Sequence, residues 1–289
     1  MPGQRELLYG RHAVLETLRA GRRRVYQVQL GEGVRQTGNV VEILALAQRR
    51  GVPVAEVPRQ VLDRAGAVNH QGVVAEAGPY PYVELDELLQ NAGPVSSSLP
   101  ADAPLYLVLD HLQDVQNLGT LLRTAEAMAV TGVLLPERRA ASITPAVVNA
   151  SAGAVEHLRI ALVGNLVQAL ERLKAVGVWV VGLDAGADAV PPGRTDGSAR
   201  LTASLTGPLA LVVGAEGPGL ARLVREHCDW LLAIPMYGQI ASLNAAVAGS
   251  VALVAARQAR EGARSSRPVR QHPTGEGDSI TTRELALNI

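Results

Sequence analysis

The sequence of 289 residues predicts an α/β fold in two parts, a C-terminal domain built on a parallel sheet and a smaller α/β domain before it. Three observations predict this. From Leu105 onward, apolar strand-like runs alternate with helical patterns, which is typical of a mostly parallel sheet. A shorter alternation fills the first 80 residues. Between them, residues 91–104 are rich in Gly, Pro, Ser and Ala, the composition of a linker.

The elements of the N-terminal part follow from apolar periodicity. Two segments have apolar residues at helical spacing, and Gly21 and Gly51 would end these two helices. Three other segments have the pattern of strands, and a short acidic helix at 83–89 opens the linker region. The helices are expected at 12–20 and 40–50, and the strands at 25–30, 52–57 and 72–77.

The C-terminal part repeats a strand and then a helix. Extended segments are expected at 105–110, 132–135, 158–160, 178–183, 209–213 and 231–234, and helices at 118–130, 145–150, 165–176 and 242–258. We therefore expect a small α/β domain at 1–80, a linker at 81–103 and a larger α/β domain at 104–262. A polar and mobile tail is expected at 263–289.

Composition narrows the functional classes. Hydrophobic residues make up 47% of the chain, enough for a sizeable core, and the formal net charge is zero. The single cysteine excludes a disulfide framework, and the six histidines form no pattern of metal ligands. The sequence shows neither a signal peptide nor an apolar run long enough for a membrane span. These features predict a cytoplasmic protein without a metal.

Positive charge collects at the N-terminal end. Residues 1–80 carry a net charge of +4, and Arg19, Arg22, Arg23 and Arg24 form a cluster. Such a cluster can bind the phosphates of a nucleic acid. The alternative is a solvated helix end.

Three polar segments stand where a predicted strand should lead into a helix. The first carries Asn117 and then Arg123. The alternative to a functional role is that Asn117 is a helix N-cap and Arg123 a surface arginine. The second, from Gly214 to Gly219, carries Glu216, whose carboxylate can accept hydrogen bonds from a ribose hydroxyl or an arginine. Alone, this turn is a weak signal, and it matches neither the dinucleotide fingerprint nor a P-loop.

The third segment runs from Ile234 to Asn244. We expect Ser242 to open the last helix as its N-cap, with Asn244 near the exposed backbone N–H groups. Turns after strands are usual binding sites in open α/β sheets, and two glycine-bearing turns about 25 residues apart indicate one shared pocket.

In this order and spacing, the three segments resemble the motifs of the SPOUT class of RNA methyltransferases, and more closely its SpoU/TrmH branch of ribose 2′-O-methyltransferases. The resemblance runs from Leu105 to Arg260 and includes the stretch 151–157. Segments 9–14 and 69–73 resemble the small RNA-binding domain, similar to ribosomal protein L30e, that precedes the catalytic domain in many members.

The resemblance implies a deep trefoil knot in the catalytic domain, S-adenosylmethionine as the methyl donor, and a homodimer with the last helix at its interface. Strand-end loops hold the cofactor in this class, mainly through backbone groups. By motif position, the cofactor-binding residues are Gly214, Gly217, Ile234, Pro235, Met236, Gly238 and Leu243.

The resemblance also assigns a catalytic set. The arginine that matches Arg123 is held responsible for activating the ribose hydroxyl. Because arginine stays protonated in proteins, we favour stabilisation of the developing alkoxide and positioning of a phosphate over a role as base. Asn117, Glu216, Ser242 and Asn244 would form a polar shell around the ribose and Arg123.

The two-domain layout and residues 225–229 most resemble bacterial enzymes that methylate a guanosine in large-subunit ribosomal RNA. Transfer RNA and other ribosomal sites remain alternatives within the family. A non-catalytic RNA-binding or assembly factor on this fold would lack Asn117, Arg123, Glu216 or Asn244. A Rossmann dehydrogenase would need a glycine fingerprint near its first strand, where the sequence has only Gly119.

Overall fold

The computed structural model describes residues 5–66, 69–90, 103–138, 140–185, 205–240 and 242–265. The first domain is a four-stranded mixed sheet in the order β1-β4-β2-β3, covered by helices. Its strands are β1 (Glu6–Tyr9), β2 (Val25–Gly31), β3 (Val54–Val57) and β4 (Val73–Ala77), and its helices are α1 (Arg11–Ala20), α2 (Asn39–Arg49) and α3 (Arg59–Leu62).

Both long helices predicted for this domain are confirmed, and so are its three predicted strands. Gly21 ends α1 in the left-handed conformation, with φ of 62°. Strand β1 was not predicted, because its four residues are too few to show a period of two. It pairs antiparallel with β4 and so joins the chain start to the sheet.

The second domain is a six-stranded sheet in the order β10-β8-β9-β5-β6-β7, and all its pairings are parallel, which confirms the predicted sheet. A short helix, α4 (Leu85–Gln90), precedes it. Its strands are β5 (Leu105–Asp110), β6 (Gly132–Pro136), β7 (Ile160–Val163), β8 (Trp179–Leu183), β9 (Leu209–Gly214) and β10 (Trp230–Leu232). Its helices are α5 (Val115–Ala127), α6 (Pro145–Ala150), α7 (Leu166–Ala175), α8 (Arg222–Glu226) and α9 (Ala245–Ser265).

Helices cover both faces of this sheet and create two cores. Alternate residues of a strand point to opposite faces, so Leu107 packs with α5, α6 and α9, whereas Tyr106 and Val108 pack with α4, α7 and α8. Every residue of β5 and of β9 is buried. This explains why these strands appear in the sequence as continuous apolar runs.

The predicted start of the last helix is wrong by three residues. The side-chain oxygen of Asn244 accepts hydrogen bonds from the backbone N–H groups of Ala246 at 2.9 Å and Val247 at 3.3 Å. Asn244 is therefore the N-cap, and Ser242 lies in the preceding loop. The helix continues to Ser265, beyond the predicted domain end at residue 262.

Two expectations concern segments outside the described residues. The greater part of the predicted linker, 91–102, and most of the predicted tail, 266–289, belong to them. The connection between β8 and β9 also includes residues that the structure does not describe. The predicted trefoil knot therefore stays a prediction. None of the helices that the structure describes is long and apolar enough to cross a membrane.

Within the arginine cluster at 19–24, Arg22 and Arg23 bind protein groups, so their interpretation as free phosphate-binding residues or as a solvated helix end is wrong, whereas Arg19 and Arg24 have exposed side chains. The Arg23 side chain is 1% exposed, and its Nη2 lies 2.9 Å from Oε1 of buried Glu156 in the second domain. Arg22 donates to the backbone oxygen of Leu158 and to the Tyr80 hydroxyl. Arg19 pairs with Glu42 and Glu16.

Burial dominates the electrostatics of this interdomain contact. It raises the pKa of the Glu156 carboxyl, an effect that the cations of Arg23 and Arg22 oppose. A buried charge needs a charged partner because transfer from water is costly. Arg23 therefore supplies the charged partner that the Glu156 carboxylate needs in the docked arrangement of the two domains.

A second contact brings the turn at Gly153 against α1. Gly153 has φ of +84°, and a Cβ atom there would lie 2.6 Å from Cβ of Glu16 and 3.0 Å from the backbone oxygen of His12. Beside it, Nε2 of His157 is 2.8 Å from Oε2 of Glu16. The absence of a side chain at Gly153 thus allows the domains to approach closely.

Candidate active site

The carboxyl ends of β5, β8, β9 and β10 meet at one edge of the sheet, and a hollow of about 300 Å³ lies there. The ends of β8, β9 and β10, the loops that follow them and the start of α9 form its walls, as expected for an open α/β sheet. The prediction of a pocket shared by the two glycine-bearing turns matches this geometry. Seven residues of the predicted site line the hollow: Gly214, Glu216, Gly217, Ile234, Met236, Ser242 and Leu243.

The turn after β9 folds back sharply on itself. Ala215 and Gly219 exchange two backbone hydrogen bonds, of 3.1 and 3.0 Å. A Cβ atom on Gly214 would lie 2.3 Å from the carbonyl of Gly219, and Gly217 has φ of +83°. Residues with side chains would clash or be strained at these positions, which is the physical reason for the Gly-Ala-Glu-Gly sequence.

Asp110, at the end of β5, holds this turn in place and was not among the predicted site residues. It is 1% exposed. Its Oδ2 accepts a hydrogen bond of 2.6 Å from the backbone N–H of Ala221, and its Oδ1 contacts Nδ1 of His111. The sequence does contain a signal for Asp110, because its carboxylate ends a fully apolar strand. A charge in such a buried place is rare without a partner, so it indicates a specific contact.

A cluster of polar side chains joins the three predicted motifs at the rim of the hollow. The amide nitrogen of Asn244 donates to Oδ1 of Asn117 at 2.9 Å and to Oε1 of Glu216. The oxygen of the same amide caps α9, so the NH₂ group must face the other two residues. Helix α5 presents Asn117 because Asp114 caps its N-terminus, accepting from the backbone N–H of Asn117 at 2.7 Å.

Three of the predicted site residues belong neither to this cluster nor to the lining of the hollow: Arg123, Pro235 and Gly238. Arg123 is six residues beyond Asn117 on α5, roughly 9 Å along the axis and a third of a turn around it. It lines a separate hollow between the two domains. Pro235 and Gly238 are in the exposed loop after β10 and do not line the first hollow.

The chemistry of the hollow fits a nucleoside that carries positive charge. Ile234 and Leu243 give it apolar walls, as a purine ring requires. Gly217 leaves backbone groups accessible, and Glu216 brings a carboxylate. Asp184, which the sequence prediction missed, adds a second carboxylate next to the end of β8, held by Nε of Arg225 at 2.8 Å. Within the described part of the chain, no group of three His, Cys, Asp or Glu side chains could hold a metal ion.

Comparison with known proteins assigns this geometry to a family. The family model described as the SpoU rRNA methylase family matches residues 104–254. The chain belongs to this family. A second family model, described as RNA 2′-O ribose methyltransferase substrate binding, matches residues 7–83 of this SpoU methylase. The two matches fall on the two domains of the structure.

Individual relatives agree with this membership. The 23S rRNA (guanosine-2′-O-)-methyltransferase RlmB of Pseudomonas putida is 40% identical to this SpoU methylase, over 89% of this chain and 98% of its own. A Bacillus subtilis protein assigned to the TrmH family of tRNA/rRNA methyltransferases, YacO, is 40% identical over 87% of this chain and 94% of its own. Among solved structures, the AdoMet-bound rRNA methyltransferase from Sinorhizobium meliloti has a TM-score of 0.67 and 26% identity, covering 88% of this chain and 87% of its own.

Proposed function

We propose that this SpoU methylase transfers the methyl group of S-adenosylmethionine to a ribose 2′-hydroxyl of RNA, at a guanosine of large-subunit (23S) ribosomal RNA. The observation that carries the proposal is the Asn117–Asn244–Glu216 cluster at the rim of a hollow with glycine turns and apolar walls. The name of the Pseudomonas relative supports the choice of substrate.

The cofactor site that we assign comprises the hollow and the loop beside it. When bound, S-adenosylmethionine supplies an electrophilic methyl group on a sulfonium. The apolar side chains of Ile234 and Leu243 would hold its adenine, and Glu216 or Asp184 would face its positive charges. The loop residues that we assign to its binding are Gly214, Gly217, Ile234, Pro235, Met236, Gly238 and Leu243.

The polar cluster would orient the ribose. A carbon–oxygen bond forms at the 2′-oxygen, the carbon–sulfur bond breaks, and the hydroxyl proton leaves to solvent. The Glu216 carboxylate can accept a hydrogen bond from a ribose hydroxyl, and Asn244 fixes that carboxylate. Asn117 and Ser242 complete the polar shell. Groups that are oriented before the substrate arrives need not reorganise during the reaction.

Arg123 is assigned to the substrate side. It makes no hydrogen bond or ion pair with any residue that the structure describes, so its guanidinium can contact RNA. Because it stays protonated, its role is to position a phosphate and stabilise the developing alkoxide, not to remove a proton.

Replacement of this arginine tests the assignment. Arg123→Ala is expected to lower methyl transfer to ribosomal RNA by at least about a hundredfold, as loss of an oxyanion donor does. Calorimetry should show that binding of S-adenosylmethionine is unchanged. Arg172→Ala is the matched control, because Arg172 lies on α7 at the opposite face of the sheet. Retained turnover in Arg123→Ala contradicts the role.

We also infer a homodimer formed through α9. Val247, Val251 and Val254 are 46%, 42% and 37% exposed and recur at i, i+4 and i+7, so they form one apolar face of that helix. In a bacterial cell the proposed ribosomal RNA substrate would place the enzyme in the cytoplasm.

Transfer RNA is the alternative substrate, since the name of the Bacillus relative includes both tRNA and rRNA. Mapping of 2′-O-methyl groups decides between the two. Ribosomal and transfer RNA would be taken from cells with and without the protein and then incubated with the purified enzyme and S-adenosylmethionine. We expect one guanosine of 23S ribosomal RNA to be methylated. Methylation confined to transfer RNA would overturn the substrate assignment, and no transfer to either RNA would contradict the proposed activity.

A further inference from the structure

A second hollow, of about 310 Å³, lies between the two domains and contains Arg123. Helix α1 of the first domain contributes His12 and Glu16 to it. The second domain contributes Arg123 and Glu126 of α5 and the turn that begins at Ser151. Its volume is at the lower end of the range for small-molecule sites, which is adequate for a nucleotide.

The charges in this hollow are arranged for a ligand with both donors and acceptors. Arg123 and Glu126 are three residues apart on α5, so their side chains are neighbours on the helix surface. Nevertheless, within the part of the chain that the structure describes, neither forms an ion pair or a hydrogen bond. By contrast, Glu16 in the same hollow is occupied by Arg19 and His157. The carboxylate in this hollow whose oxygens are free to accept hydrogen bonds from a ligand is therefore that of Glu126.

The walls of the hollow are fixed by the contact between the domains. Gly153 packs directly against Glu16 and His12 of α1, and the amide of Asn149 donates to the backbone oxygen of Tyr9 at 3.0 Å. The buried Arg23–Glu156 pair lies behind the same contact. The site thus exists before RNA binds, which lowers the cost of ordering it.

We propose that this interdomain hollow holds the base of the methylated guanosine and that the carboxylate of Glu126 recognises it. Unstacked bases of RNA are read by hydrogen bonds to their Watson–Crick edges. Guanine presents two adjacent donors there, N1–H and the N2 amino group, which match the two oxygens of a carboxylate. Adenine, cytosine and uracil lack this donor pair. Arg123 at the same hollow contacts the phosphate or ribose of that nucleotide.

This inference rests on the proposed function and supplies its base specificity. The test uses synthetic RNA of the mapped target region with guanosine or inosine at the methylated position, since inosine lacks the N2 amino group. The wild-type enzyme should have a kcat/KM at least about tenfold lower for inosine. For guanosine RNA, the kcat/KM of Glu126→Gln should be at least about tenfold below that of the wild type. Replacing guanosine with inosine should lower the kcat/KM of this variant little further. Glu171→Gln, an exposed helical glutamate on α7, is the matched control and should behave as wild type.

The outcomes separate this inference from the proposed function. Calorimetry with S-adenosylmethionine and circular dichroism verify that Glu126→Gln binds cofactor and is folded. If the wild-type enzyme methylates no ribose, the proposed function fails. If it methylates guanosine and inosine RNA equally, or if Glu126→Gln keeps the wild-type preference for guanosine, the base site is elsewhere and the inference is overturned.

Discussion

Asn244 uses both ends of its side-chain amide. Its oxygen caps α9 through two backbone N–H groups, and its nitrogen donates to Asn117 and Glu216. The helix start and the polar cluster therefore depend on the same residue. Because the cap fixes the direction of the amide, the position of Glu216 relative to the hollow follows from the capping geometry.

A change from Asn244 to Ser separates these two roles. Serine caps a helix about as well as asparagine but is too short to bridge to Glu216 and Asn117. We expect Asn244→Ser to change the free energy of unfolding by no more than about 0.5 kcal/mol, yet to lower methyl transfer at least about tenfold. Asn165→Ser, the same change at the N-cap of α7, serves as control and should keep full activity. Full activity in Asn244→Ser would contradict a role for the cluster.

Arg260 is the largest fully buried side chain of the described residues, and its exposure is 0%. Its guanidinium donates to four backbone oxygens, those of Ala103, Pro104, Leu205 and Gly207, and so ties α9 to the starts of β5 and β9. Burial lowers its pKa to about 10, which leaves it charged at neutral pH. The sequence alone gave no sign that this arginine is internal.

Arg260→Met is expected to destabilise the protein by at least about 3 kcal/mol, because four buried acceptors lose a charged donor. Denaturant unfolding monitored by circular dichroism measures this. Arg257→Met is the comparison, since half-buried Arg257 donates to the backbone oxygens of Met128 and Ala129. Arg257→Met should lower the free energy of unfolding by less than Arg260→Met does, because water can reach the backbone oxygens that Arg257 leaves. Equal losses in the two variants would argue against a special role of burial.

At the scale of elements, the turn at 151–153 connects α6 to the interdomain contact. Ala152 and Gly153 both have positive φ, of 53° and 84°, so the chain reverses within two residues. This turn lies against α1 and also lines the hollow that contains Arg123. A single turn thereby sets both the docking of the substrate-binding domain and the shape of the proposed base site.

Gly153→Ala tests the docking. The added Cβ would lie 2.6 Å from Glu16 and 3.0 Å from the backbone of His12, so the domains must separate or strain. Gly33→Ala is the matched control: Gly33 also has a positive φ, of 76°, but its Cβ would meet no atom within 4 Å. We expect Gly153→Ala to cost at least about 1 kcal/mol more than the control. Hydrogen exchange should show lost protection in α1 and in residues 154–163. Unchanged protection would contradict close docking.

At the scale of the whole molecule, the exposed valines of α9 predict self-association. Val251→Glu should weaken the dimer at least about tenfold, because it places a charge within an apolar face. Sedimentation analysis over a range of concentrations measures this. Val41→Glu on α2 is the control, since Val41 is 51% exposed and lies in the other domain. A wild-type chain that is monomeric at all concentrations would refute the homodimer.

How much of the molecule could be predicted depends on the range of the interactions. Strands β5 and β9 and helices α1 and α6 were predictable, because apolar runs and periodicity are local properties. The N-cap of α9 was predicted two residues early, because Ser242 and Asn244 are both good caps and only tertiary contacts select Asn244. Arg22 and Arg23 appeared to be an RNA-binding patch because sequence does not show which charges another domain covers.

The sequence by itself determined the fold class, the family and seven of the residues that line the proposed cofactor hollow, because motif residues follow strands whose carboxyl ends must meet at one edge of a parallel sheet. Only the tertiary structure decided that Asn244 joins Asn117 and Glu216 and that Arg123 lies in a different hollow with Glu126. It also decided that Arg23 is buried against Glu156. The Asn244–Asn117 and Arg23–Glu156 contacts join residues more than a hundred positions apart, which no local pattern encodes.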